Sequence, residues 1–314
     1  MSDVISFVIP CYRSEHTIHS VVDELLAEIK KLNIRDYEII LVNDGSPDSV
    51  WTVIQKMCGE DKSIKGVNLA RNFGQHAAIL AGYSVARGDI IISLDDDGQT
   101  PINEINLLLE KIHEGYDAVY GYYEEMKQNR FRKIGSWIAG KMGQIMIGFP
   151  RDFKGGPFFA VRSFVVAEMI KYDNPYPYLG GLVYRTTHNI ASVPAHQRNR
   201  LSGTSGYSII GLIDLWFNGF TAFSVKPIRW GAMAGMMLSL VGFLLAIILI
   251  IRKLLYPSIV LGWTSIISAI LVVGGFILTM LGLVGEYVGR IYLSINNSPQ
   301  YVIREIIGGV SSEK

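Results

Sequence analysis

The chain is 314 residues long, enough for one large domain or two smaller ones, and its 29 Lys and Arg against 28 Asp and Glu leave a formal charge of +1. No charge excess points to nucleic acid, and two cysteines, Cys11 and Cys58, without a C-x-x-C pair indicate neither a disulfide framework nor a structural zinc site. The 49% hydrophobic content is local in origin: residues 231–285 carry two charges, Arg252 and Lys253, so a body of ordinary composition leads into a membrane-like end.

Met1–Pro10 has no basic n-region and no apolar stretch long enough for a signal peptide, so the body is expected to stay in a reducing cytosol. Short apolar runs then alternate with helical patterns. Ile5–Ile9, Glu38–Val42, Ile64–Leu69, Ile90–Leu94 and Ala118–Tyr120 are the expected strands. After Ser14, Ile18, Val21, Val22, Leu25, Leu26 and Ile29 fall on one helical face, and Ser46-Pro47 opens a second helix with Pro near its first turn. The alternation predicts an α/β fold, a mostly parallel Rossmann-like sheet with helices on both faces and ligands at the carboxyl ends of the strands. Functional residues are therefore expected just after Ile9, Val42, Leu69 and Leu94.

From about residue 130 to 149, Arg130, Arg132, Lys133 and Lys141 accompany Phe131, Ile134, Trp137, Ile138, Met142 and Ile145, the composition of a helix lying on a membrane surface. A helix packed on the sheet has the same pattern. A second such stretch, 209–223, leads into two uncharged segments, Gly231–Ile251 and Leu254–Gly285, with Arg252 and Lys253 between them and the second broken only by the Tyr256-Pro257 turn signal. Twenty-one residues at about 1.5 Å each reach about 31 Å, so a transmembrane hairpin is expected at 230–286. It would divide a cytosolic body, 1–229, from a cytosolic tail, 287–314. Lys226, Arg229, Arg290 and Arg304 outside the hairpin against Arg252 and Lys253 within it favour cytosolic ends.

The strongest chemical signal is Ser93-Leu94-Asp95-Asp96-Asp97-Gly98-Gln99 at the end of the fourth strand. Carboxylates so close repel one another, and a hard divalent cation that also takes oxygens from a nucleotide diphosphate relieves the repulsion. Asp95 and Asp97 would be the ligands, with Asp96 pointing elsewhere or hydrogen-bonding backbone. A solvated Asp turn is the bland alternative. In Val42-Asn43-Asp44-Gly45-Ser46, Asp44 could accept from a nucleobase N–H while Gly45 permits the turn; a simple N-cap also fits. Tyr12 could stack on the same base or be an ordinary half-buried Tyr. No G-x-G-x-x-G follows the first strand and no G-x-x-x-x-G-K-[ST] occurs, which removes specific support for dinucleotide and P-loop readings.

Taken in order, FVIPCYRSE, VNDGS, RNFGQHAAILAGYSVARGDIIISLDDDGQTP, RLSGTSGY and LGLVGEYVGRIY resemble the family-2 glycosyltransferases that load a sugar onto a polyprenyl phosphate. These include bactoprenol glucosyltransferases, undecaprenyl-phosphate aminoarabinose transferases and, more distantly, dolichyl-phosphate mannose synthase. The resemblance covers nearly the whole chain. It implies a GT-A fold, inverting transfer of a hexose-type sugar from a nucleotide-diphosphate sugar, expected to be UDP-linked, to undecaprenyl phosphate, with Mg2+ or Mn2+. It also implies a homotetramer in the bacterial cytoplasmic membrane, making lipid-linked sugars for cell-envelope glycosylation.

By the same resemblance Pro10, Tyr12, Glu15, Asp44, Arg71, Asp95, Asp96 and Gln99 would border the nucleotide sugar, and Asp95 and Asp97 the metal. Arg200, Ser205 and Tyr207 would bind the acceptor phosphate, with Asp152 and Arg200 at the reaction centre. Gly206 stands where the family has Lys, so the phosphate clamp lacks a cation that Arg198 or Lys154 could supply, and Arg13 replaces the usual Asn after Tyr12. Asp152 would orient rather than deprotonate, because the acceptor phosphate is already anionic. Polysaccharide synthases share the nucleotide domain but carry Q-x-x-R-W, where this chain has Lys226-Pro227-Ile228-Arg229-Trp230. A catalytically silent nucleotide-sugar-binding scaffold is the third reading.

Overall fold

The computed structural model describes residues 3–123, 140–141, 143–145, 147–174, 177–196, 198, 226–255, 263–296 and 299–309. Arg200, Ser205, Gly206 and Tyr207, the 209–223 stretch and most of 130–149 lie outside the described residues. Residues 1–220 with 297–314 form one compact unit and residues 221–296 a second.

The first unit is built on an eight-stranded sheet. Its strands are β1 (Ile5–Cys11), β2 (Tyr37–Asn43), β3 (Ile64–Leu69), β4 (Ile90–Ser93), β5 (Ala118–Tyr123), β6 (Phe159–Arg162), β7 (Ile190–Ala195) and β8 (Ile303–Gly308), in the spatial order β7-β5-β6-β4-β1-β2-β3-β8. β1 pairs in parallel with β2 and β4, β2 with β3, and β5 with β7, whereas β6 and β8 run antiparallel to their neighbours. Every residue of β1 is buried, as a central strand covered on both faces requires. Alternation along β1 sends Ile5, Phe7, Ile9 and Cys11 into the main core, with α1 (Ile18–Lys31), α2 (Val50–Glu60) and α4 (Ile105–His113). The opposite face receives α3 (Gln75–Tyr83), which approaches so closely that a Cβ on Gly82 would stand 2.4 Å from Val8 Cγ1. Two further helices of this unit are α5 (Ser163–Met169) and α6 (Leu179–Thr186).

α1 buries Ile18, Val21, Val22, Leu25 and Ile29, the periodic face expected from sequence, each contributing roughly 1.5–3 kcal/mol of transfer free energy before entropy is counted. α2 begins at Val50, three residues after Pro47, because Asp48 holds the intervening turn. Its Oδ1 accepts from Ser46 Oγ at 2.5 Å and from Val50 N at 3.3 Å. The chain order changes direction across β1, from which β2 and β3 lead one way while β4 lies on the other side. In open α/β sheets ligands gather at such a switch point, here the edge at the carboxyl ends of β1 and β4.

The second unit contains two long helices, α7 (Lys226–Leu255) and α8 (Trp263–Ile295). Each holds a stretch long and apolar enough to span a membrane, Lys226–Leu245 and Val272–Ile295, none of it buried within the protein. Leu254 belongs to α7, and α8 is described from Trp263. Gly231 and Gly235 of α7 face Met280 and Phe276 of α8; an added Cβ would come within 2.3 Å of Met280 Sδ and 2.8 Å of Phe276 Cε1. Small residues one turn apart thus accept large ones from the partner helix.

Candidate functional site

The crevice collects the chain's acidic loops. From β4, Asp95 Oδ1 accepts from Gln75 Nε2 at 2.7 Å, which fixes the carboxylate to the start of α3. Asp96 turns away: its Oδ2 accepts from Tyr12 N at 2.9 Å and its backbone carbonyl from Thr17 Oγ1 at 2.7 Å, tying β4 to the end of β1. Burial raises the Asp96 carboxyl above the usual range, against the pull of the Tyr12 N–H. Asp97 Oδ1 accepts from Gln99 N at 2.9 Å, closing a tight turn around Gly98 (φ 75). Tyr123, at the end of β5, completes the cluster; burial pushes its hydroxyl up, as do Asp95 and Asp97, while the Thr100 side chain opposes the shift.

From β2, Asp44 is almost fully buried, and its two oxygens divide two backbone donors: Oδ1 accepts from Phe73 N at 2.7 Å and Oδ2 from Gly74 N at 2.9 Å. Burial raises this carboxyl; the two N–H groups and Arg71 oppose it. Gly45 (φ 57) lies so close to the same loop that a Cβ would meet Arg71 C at 2.3 Å. The loop from Arg71 to Gly74 is therefore clamped between Asp44 and Gly45. The far side of its root is held by β8 and the residue before it: Ala70 N donates to Val302 O at 2.9 Å and Arg304 Nη2 to Ala70 O at 3.4 Å. Arg71 is exposed, its guanidinium 4.1 Å from the Phe73 ring centroid.

From β1, Pro10 is buried in the strand and Tyr12 stands exposed at its end. Glu15 accepts from Ser49 N through Oε2 at 2.9 Å, and its own N–H donates to Asp48 Oδ2 at 3.0 Å, so Glu15 joins the β1 and β2 loops. Arg13 has φ 56, a left-handed conformation that Asn adopts more readily than Arg.

The structure thus brings Pro10, Tyr12, Glu15, Asp44, Arg71, Asp95, Asp96, Asp97 and Gln99 to one edge of the sheet. Asp152 is different. It is exposed on a loop whose Phe153 ring packs 5.1 Å from that of Tyr120, and it makes no hydrogen bond or ion pair with the described residues of the acidic cluster. Arg198 is engaged elsewhere, its guanidinium held by Glu24 and Asn103 while its N–H donates to Gln99 O at 3.1 Å. Lys154 remains exposed, its Nζ 4.2 Å from the Tyr122 ring centroid at the end of β5. The sequence reading gave no role to Gln75, Asp48, Tyr123 or β8. Gln75 was visible inside RNFGQ, but nothing in the sequence marks β8 as a neighbour of Ala70.

Among the described residues no three His, Cys, Asp or Glu side chains form a metal cage. Asp95 and Asp97 are two hard carboxylates at one strand end, a donor set that suits Mg2+ or Mn2+ when substrate phosphates supply the remaining oxygens.

Residues 6–170 match the sequence profile of Glycosyl transferase family 2. The chain belongs to that family. It is a glycosyltransferase with a GT-A-like fold. It is 31% identical over 314 residues to an undecaprenyl-phosphate 4-deoxy-4-formamido-L-arabinose transferase of Shewanella sediminis, covering 99% of this chain and 95% of that one. Against the enzyme of the same description from Yersinia enterocolitica the identity is 33%, over 98% and 95%. An uncharacterized glycosyltransferase of Bacillus subtilis, YkcC, is 32% identical over 96% and 94%. Among solved structures, glucosyl-3-phosphoglycerate synthase from Mycobacterium tuberculosis, in complex with Mn2+ and UDP-glucose, superposes with a TM-score of 0.52 at 19% identity, covering 70% of this chain and 77% of that one. That likeness concerns the fold.

Proposed function

We propose that this family-2 glycosyltransferase moves a sugar from a nucleoside-diphosphate donor, expected to be UDP-linked, to undecaprenyl phosphate at the cytosolic face of a bacterial membrane. The observation that carries the reading is the edge formed by Tyr12, Asp44, Arg71, Asp95 and Asp97 in a chain that also bears two helices of membrane-spanning length and composition. Full-length similarity to undecaprenyl-phosphate transferases supports the acceptor.

The acceptor phosphate oxygen attacks the anomeric carbon, the bond from that carbon to the diphosphate oxygen breaks, and the nucleoside diphosphate leaves with the bonding pair. The nucleophile is already anionic, so no strong general base is required. The demands are in-line positioning and stabilisation of the leaving group. Tyr12 offers a stacking face for the base, and Asp44 keeps the Arg71 loop in register. Asp95 and Asp97 would hold the divalent ion, which when bound neutralises charge on the departing diphosphate. Gln75 fixes the direction of Asp95. Arg200, Ser205 and Tyr207 are assigned to the acceptor phosphate, Asp152 to orientation at the reaction centre, and the homotetramer to the assembled state, all on resemblance.

The test supplies purified full-length protein with a panel of nucleotide sugars and undecaprenyl phosphate. A lipid product heavier by one glycosyl residue supports the reading; products confined to polymer or to water-soluble sugar would refute it.

A further inference from the structure

At the carboxyl ends of β1 to β4, the loops 12–17, 44–49, 70–74 and 94–101 hold six carboxylates, Glu15, Asp44, Asp48, Asp95, Asp96 and Asp97, and two arginines, Arg13 and Arg71. Of these arginines, Arg13 occupies a position that its backbone should disfavour. Arg13 (φ 56) and Asn33 (φ 53) are the non-glycine residues with positive φ among those described, and Asn is a residue type enriched there, whereas Arg is not.

The conformation is imposed from outside. Tyr12 N is bound by Asp96, Arg13 N donates to Ser46 Oγ at 2.8 Å, and Glu15 is fixed at both ends by Asp48 and Ser49. Whatever residue stands at 13 must adopt the left-handed conformation. Gly or Asn would do so at lower cost, so the backbone does not explain Arg, and its side chain must. That side chain is exposed and makes no hydrogen bond or ion pair with described residues; its guanidinium lies 5.4 Å from the ring centroid of Tyr12. Among the described residues the Tyr12 ring is thus its one contact, and it stands one residue from the amide that Asp96 anchors, beside a cluster of carboxylates that must admit an anionic ligand.

We infer that Arg13 is a donor-binding residue whose guanidinium engages the diphosphate of the incoming nucleoside diphosphate, an inference that rests on the donor-site reading above. A planar fork of N–H donors matches phosphate oxygens, and each such charge-assisted bond exceeds a neutral one. Arg13 supplies positive charge from the β1 loop as Arg71 does from the β3 loop, and strain in the free protein is the cost of placing it there.

The experiment uses the full-length protein with Mn2+ and measures UDP, GDP and dTDP binding, continuing with the diphosphate bound most tightly and its parent nucleoside. Arg13→Asn should raise the Tm of the ligand-free protein by about 2–4 °C. It should weaken diphosphate binding about tenfold and leave the nucleoside within about twofold, while Arg13→Lys keeps most of the affinity. A purely structural Arg13 cannot give a stability gain together with a binding loss. If Arg13→Asn leaves diphosphate affinity within about twofold while Asp97→Asn loses it, the inference falls and the donor site stands. If neither variant changes affinity, the donor-site reading falls with it. Equal losses for diphosphate and nucleoside would place Arg13 at the base instead, and a lowered Tm would remove the strain argument.

Discussion

Replacing Asp44 by Asn tests how the donor loop is held. Each Asp44 oxygen takes one backbone N–H, from Phe73 at 2.7 Å and from Gly74 at 2.9 Å. Asn has one acceptor oxygen, so one amide loses its partner and faces an NH2 group instead. A hydrogen bond to a charged group is worth roughly 1.5–3 kcal/mol. Burial already raises the Asp44 carboxyl, so removing the charge returns part of that, and the expected net cost is about 1.5–2 kcal/mol, or about 10- to 30-fold in the opening equilibrium of the loop. Hydrogen exchange on the full-length protein reads this at the amides of Phe73 and Gly74, with the β1 and β2 amides as internal reference. Faster exchange confined to the loop, with nucleoside-diphosphate affinity lowered in parallel, is the expected result. Unchanged protection at both amides would refute the clamp.

Gly45→Ala should abolish donor binding, since its Cβ would meet Arg71 backbone at 2.3 Å, whereas Gly59→Ala in α2, where nothing lies within 4 Å, should raise the Tm; paired melting and binding curves check both. Deleting residues 302–314 should free Ala70 and uncover the β3 edge, seen as faster exchange at Ala70 and weaker donor binding. His76 Nδ1 donates to Pro177 O at 3.0 Å and burial lowers its pKa. A base depressed in the folded state contributes stability that is present above about 6.5 and lost as pH falls, so His76→Gln should flatten the decline in denaturation midpoint below that pH. Chelation should weaken nucleotide binding, and so should Asp97→Asn at fixed Mn2+; calorimetry without turnover measures each.

The strands that sequence revealed are those the fold buries on both faces. β1, β2 and β4 are near-continuous apolar runs because they are covered on both faces, the exception being Glu38, which Lys65 and Arg87 pair, and the acidic motifs follow β2 and β4. β7 contains Pro194 at an edge and β8 is largely exposed, so neither has a distinct pattern. α3 is buried from Ala77 to Tyr83 and shows no amphipathic face. The motif residues were legible one by one, but their division of labour was not. That Asp96 serves Tyr12 while Gln75 serves Asp95 depends on β1 and β4 being neighbours, a fact of topology rather than of spacing.

The most direct measurement follows one turnover in the intact membrane protein. Full-length enzyme in nanodiscs containing undecaprenyl phosphate receives a nucleotide sugar radiolabelled in the sugar, and released nucleoside diphosphate is counted against label extracted with the lipid. Equal amounts of the two, both abolished by Asp97→Asn, are the predicted result. Nucleoside diphosphate released without lipid-borne label, or label carried into a polymer, would contradict transfer to the lipid phosphate.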